Sequence, residues 1–140
     1  MLRFAFATLL LLAAGAASAA PLDDARKQLT ERFRALADAH GLTAEVYTRC
    51  TKRPDLAKQL RENLDRTGAQ LQRETGITTS LKDVADRAFA SGKKRGAQLL
   101  CSEKPEEFAA NMMEMTKNGV NDSIARLIEL KQQEQPAKPQ

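Results

Sequence analysis

Cys50 and Cys101 are the only two thiols in this chain of 140 residues. A cysteine can attack a substrate, hold a metal or form half of a disulfide. A nucleophilic thiolate needs a free sulfur and usually a basic partner, and His40 is the only histidine available. The two cysteines have no CxxC spacing, and no histidines cluster near them. An even pair in an exported chain reads as a disulfide. Such a bridge closes a loop of about 52 residues, worth roughly 4 kcal/mol in the loop-entropy account. That is a large share of a domain's usual net stability.

Other side chains invite chemical readings. Arg49, Lys52 and Arg53 flank Cys50, while Lys93, Lys94 and Arg95 precede Cys101. A disulfide would draw the two groups together into a candidate basic interaction surface for an acidic partner. The competing reading is electrostatic housekeeping, with cations at helix C-termini and Glu103, Glu106 and Glu107 at the next N-terminus. Met112, Met113 and Met115 lie in "NMMEM". Thioethers bind Cu(I), but helical spacing puts Met112 and Met115 beside Phe108 on the face expected to be core. Met112 and Met115 are therefore core residues first, Met113 points elsewhere towards partial exposure, the three together are a candidate apolar contact second, and no metal site is assigned. His40, at the helix end before Gly41, reads as a cap or surface residue rather than a pH sensor or general base, since no serine and aspartate constellation surrounds it. Glu62 and Asp65 could share a helix face, as ordinary solvated acids do. "GKKRG" lacks the order of a phosphate-binding loop, and no dinucleotide glycine pattern is present. No catalytic residue and no cofactor is assigned.

The compartment is read from the first residues. "MLRFAFATLLLLAAGAASAAPL" has Arg3, then an uncharged apolar run, then the small residues Ala17-Ser18-Ala19. This is the pattern of a secretory signal peptide over residues 1–19, cut after Ala19. The apolar run is shorter than the ~20 residues of a membrane-spanning helix. No cysteine lies at the cut, so no lipid or membrane anchor is expected. The expected location is the periplasm or the medium. The whole chain has 22 Lys+Arg against 18 Asp+Glu, a net +4. Removing a leader that contains Arg3 lowers this by one, to +3. A weakly basic, aromatic-poor, exported chain is a poor nucleic-acid binder.

These side chains must be positioned by helices. Leu22, Ala25, Leu29, Phe33, Leu36 and His40 follow steps of three and four, one stripe of an amphipathic helix ending at Gly41. A second, short segment is expected over Thr43–Lys52. A third runs from Pro54 to Thr75, marked by Leu56, Leu60, Leu64 and Leu71 and stopped at Gly76. Gly68 falls on its apolar face. Ser80, with Asp83 three residues on, caps the next helix. Its face is expected to continue through Leu99 and Leu100 to Cys101. Within it, Ala88, Gly92 and Gly96 recur every four residues, either as a row for close helix packing or as a break at "SGKKRG". Pro105 opens a last helix through Ile128, with a possible interruption at Asn118-Gly119. Residues 131–140 read as a disordered tail. No stretch alternates like a strand.

The expected fold is all-α: a small helical bundle or irregular helical domain of four to six helices over residues 20–130, with one disulfide. The expected function is that of an exported, non-catalytic protein-interaction module of inhibitor, immunity, adaptor or virulence-associated type. A periplasmic holdase that presents the methionine face is the alternative. A small carboxylate-based hydrolase is the third, disfavoured by the lack of histidines and aromatics. A protein partner is expected; its identity and the oligomeric state are left open.

Overall fold

The computed structural model describes the backbone of residues 3–134 and the side chains of residues 20–134. Those residues form four α-helices and one short 3-10 turn, with no strand among them. The helices are α1 (Arg3–Arg49), α2 (Pro54–Thr75), α3 (Leu81–Gly96) and α4 (Glu106–Glu134), and the 3-10 turn is Cys101–Glu103. Among the described residues no helix is long and apolar enough to cross a membrane. The expected cleavage point, like the side chains of the expected leader, lies outside the residues whose side chains are described.

The order is up, down, up, down around α1. On α2, Gly68 lies against Phe33, and the carbonyl of Thr75 accepts from Arg26 Nε at 3.0 Å, so α2 is antiparallel to α1. Gly92 meets Asp38 and Gly96 meets Leu42, so α3 runs parallel to α1. Gly119 lies beside Arg32, while Leu130 and Arg126 line a hollow with Ala25, so α4 is antiparallel. The other three helices all pack on α1, which acts as a central post. The main core is built on Leu29, Phe33, Leu36, Leu64, Leu81, Val84, Val120 and Leu127. Phe33 and Leu29 are fully buried, and each such side chain contributes about 1.5–3 kcal/mol.

The central role of α1 corrects the reading of Gly41 as a helix stop. From Leu36 to Val46 every residue except Asp38 and Glu45 is buried. A helix covered on several sides has no wide polar face, so the amphipathic stripe dissolves after His40 although the helix continues. Gly41 is there for closeness: a Cβ on it would run into the backbone carbonyl of Phe89 and lie 3.0 Å from Lys93 N. Thr43, buried here, is satisfied by donating to Ala39 O at 2.7 Å.

The row Ala88, Gly92 and Gly96 is the matching half of this contact. All three are buried, so close packing is the right reading and "SGKKRG" is no break. The helix does end at Gly96, short of the expected continuation to Cys101, and Ala97 N bonds back to Lys93 O. Gly76 is the left-handed stop of α2, at φ 73°. Ser80 caps α3 by accepting from Asp83 N at 3.3 Å. Asn118-Gly119 does not interrupt α4, and α4 extends to Glu134, four residues into the expected tail. Residues 135–140, the rest of that tail, lie outside the described residues. The four helices fall within the expected four to six.

Candidate functional site

The disulfide joins Cys50 to Cys101, with the two Cα atoms 5.2 Å apart. It ties the C-terminal end of α1 to the 3-10 turn after α3. Arg49 fills the space beneath it. Its Nη2 donates at 2.7 Å to both Gly96 O and Leu99 O, and its Nη1 lies 3.7 Å from Cys101 Sγ. Glu45 stands 3.8 Å from its Nε. Arg49 thereby caps the carbonyls left open where α3 ends.

The six expected basic residues do not form one free surface. Arg49 is spent on the cap. Arg95 pairs with Asp38, and Arg53 pairs with Asp55 at 2.8 Å. The hydrogen bond from Arg53 holds the Asp55 carboxyl below its ordinary range. Lys52, Lys93 and Lys94 are exposed with no carboxylate partner among the described residues, leaving three cations where six were expected. The two acids singled out in the sequence are similarly occupied. Glu62 pairs with Lys58, and Asp65 with Arg61. Arg61 also reaches Asp86 across the α2–α3 seam and lies 5.0 Å from the Phe89 ring centroid. Lys82 first, then Arg61, pull the Asp86 carboxyl down. Among the described residues no group of three His, Cys, Asp or Glu could hold a metal ion.

The methionines sit differently from the expected core placement. On α4 the buried stripe is Ala109, Val120, Ser123, Leu127 and Leu130. Phe108 is 49 % exposed and Met115 64 %, with Met112 half-buried on the same side. In the first turns of α4 it is Ala109, not Phe108, that packs against Leu42 and Val46. Met113, half-buried, lies on the opposite flank and lines the feature that spacing alone did not reveal.

That feature is a trough of about 910 Å³ between α2 and α4. Its floor is Leu36 and His40 of α1, with Val120 and Leu127. Leu60, Asn63, Thr67 and Gln70 form one wall; Met113, Asn121, Ile124 and Ile128 form the other. Ile128 is 51 % exposed. At one end of the trough Lys131 Nζ donates across it to Glu74 O at 3.4 Å. The rim carries Arg66, Lys117 and Lys131, with Glu74 the acid among the lining residues. Arg66 is bound to Asn63 Oδ1 at 2.9 Å, and none of the three cations has a carboxylate partner among the described residues. The signal in the sequence was the second apolar flank on α4, but an unpaired flank becomes visible only once α4 is rotated correctly.

His40 was expected as a surface or cap residue and is instead buried in this floor, 7 % exposed. Its Nδ1 lies 2.8 Å from Leu36 O, one turn back, which occupies that nitrogen. Burial pushes its imidazole below the ordinary histidine value of 6.5. The ring is a neutral, oriented part of the floor. Comparison with known protein families, with curated proteins and with solved structures finds no match. The functional argument therefore rests on this chain's own geometry.

Proposed function

We propose that the protein is an exported, non-catalytic interaction module, and that it binds a helical segment of a partner protein in the α2–α4 trough. The observation that carries this reading is the trough itself. Two helices stand on a third with their facing flanks unpaired, leaving Leu60, Met113, Ile124 and Ile128 at the surface. An apolar slot with a polar rim is the usual form of a helix-binding groove. A bundle braced by a long-range disulfide and the Arg49 cap holds such walls in place without a partner, which limits the ordering cost of binding. The disulfide also favours the export reading. The non-catalytic reading is supported by a lone histidine whose burial favours the neutral ring and by the pairing of the candidate acids Glu62 and Asp65 with Lys58 and Arg61.

Photo-crosslinking in the producing cell tests this proposal. A benzophenone amino acid at Met113 or Ile128 should capture one defined protein, while the same probe at Ser91, on the far side of the bundle, should not. Equal capture from all three positions, or capture from Ser91 alone, would reject the trough.

A second reading is a holdase chaperone, favoured by the exposed stripe of Phe108, Met112 and Met115 with Leu100 at 59 % exposure. Flexible thioethers suit varied apolar clients. Suppression of aggregation of unrelated unfolded proteins, lost in Phe108→Ser/Met115→Ser, would favour it over the trough.

A further inference from the structure

The trough has a direction, a length and a charge, and these together describe its occupant. Both α2 and α4 run antiparallel to α1, so they run parallel to each other. Leu60 and Met113 therefore mark one end, while Glu74 and Lys131 mark the other. At 1.5 Å per residue the α2 wall from Leu60 to Thr75 spans about 22 Å, and the α4 wall from Met113 to Lys131 about 27 Å. A helix of about 15 residues has that length. The lining residues themselves recur at helical spacing: Leu60, Asn63, Thr67, Leu71 and Glu74 on one side; Met113, Lys117, Asn121, Ile124, Ile128 and Lys131 on the other. A helix laid between such ladders would meet a third ladder's worth of gaps.

The charge is one-sided. Arg66 stands on the α2 wall, with Lys117 and Lys131 on the α4 wall. Like several other cations, these three take part in none of the ion pairs among the described residues, so their charge is open to a ligand in the trough. The acid beside them, Glu74, is engaged by Gln70 Nε2 at 3.3 Å. Amides at Asn63, Gln70 and Asn121 interrupt the apolar lining, which suits mixed peptide side chains better than a continuous acyl chain.

We propose that the occupant is an acidic amphipathic helix of a partner protein. Its apolar stripe lies on Leu60, Met113, Ile124 and Ile128, and its flanking Asp or Glu residues meet Arg66, Lys117 and Lys131. This rests on the trough being the binding site. It adds the sign of the charge that the partner brings.

The test uses the disulfide-bonded protein and two fluorescein-labelled 16-residue helical peptides with the same leucine stripe. One carries glutamates on its flanks, the other lysines. Fluorescence anisotropy should show the glutamate peptide binding on the order of ten-fold tighter at physiological salt, since exposed pairs are individually weak. The gap should widen at low salt. Arg66→Glu/Lys117→Glu, both at exposed positions, should invert the preference while the far-ultraviolet circular dichroism stays unchanged. Ile128→Asp should weaken both peptides. Equal affinity for the two peptides, or a lysine preference, overturns the acidic partner. If Ile128→Asp still weakens both, the trough itself survives that result. Binding of neither peptide, or binding indifferent to Ile128→Asp, overturns the trough as well. Displacement of the glutamate peptide by oleate or by phosphatidylglycerol vesicles, with tighter binding of the lipid, overturns the peptide in favour of an anionic amphiphile.

Discussion

Replacing Gly92 by alanine tests the packing that makes α1 the central post. In an open helix the change would stabilise, because alanine is better than glycine by about 1 kcal/mol. Here a Cβ at position 92 would strike the Asp38 carbonyl oxygen and lie 2.8 Å from its carbon and 2.9 Å from Leu42 N. All three are backbone atoms of a helix, so no rotamer change relieves the clash. Either α1 and α3 move apart or both helices bend. Overpacking of this kind costs about 3 kcal/mol at the upper end of its usual range. After the gain in propensity, a net loss of about 2 kcal/mol is expected. For a domain of this size that lowers Tm by roughly 8 °C. Gly119→Ala is the internal control. Its Cβ would lie 3.3 Å from Arg32 Cδ, part of a flexible side chain that can swing away. That variant should match or exceed the parent protein. Urea unfolding of both variants, with the disulfide intact, gives the comparison. If Gly92→Ala is as stable as Gly119→Ala, the close α1–α3 contact is wrong.

Three further outcomes follow from the same structure. Cys50→Ser/Cys101→Ser should lose roughly 4 kcal/mol in urea unfolding, because it releases a loop of about 52 residues in the unfolded chain. Arg49→Ala should cost about 2 kcal/mol by uncapping Gly96 O and Leu99 O, and amide exchange should speed up first at the end of α3. His40 sets a pH dependence. Its folded value is lowered from 6.5, so as pH falls below about 6.5 the unfolded chain takes up the proton first. Stability should be flat above that pH, decline below it, and level off once the folded ring also protonates. His40→Gln should flatten this slope, which a series of Tm measurements from pH 8 to 4.5 will resolve. The carboxylates lowered by pairing, Asp55 and Asp86, contribute only as pH approaches and falls below their ordinary value of 3.8, so they touch this window at its acid edge alone.

Much of the fold was legible because its signals are local. Pro54 at the start of α2, the left-handed Gly76 at its end and the Ser80 cap of α3 each act within a few residues. The Cys50–Cys101 pairing needed only an even count and a compartment. What failed depends on which helix lies opposite. Gly41 carries the same letter whether it ends a helix or admits a neighbour's backbone, and Phe89 decides between the two. The core face of α4 was misplaced only in its first turns, by selecting the large Phe108 and Met115, whereas Val120 and Leu127 further on are buried. The end of α1 is covered by Ala109 instead. That placement hid the trough, whose α4 wall carries the half-buried Met113 and the exposed Ile128. The basic clusters were visible in the sequence, but their neutralisation was not. Asp38 is 57 positions from Arg95, and Gly96 O is 47 from Arg49.

Amide hydrogen exchange tests the central claim most directly. The disulfide-bonded protein should be compared alone and when saturated with the glutamate-flanked helix. Slowed exchange confined to residues 60–75 and 113–131, the two walls of the trough, is the predicted result. Protection that falls instead on Leu100 to Phe108 or on Lys93 to Arg95, with both walls unchanged, would contradict it.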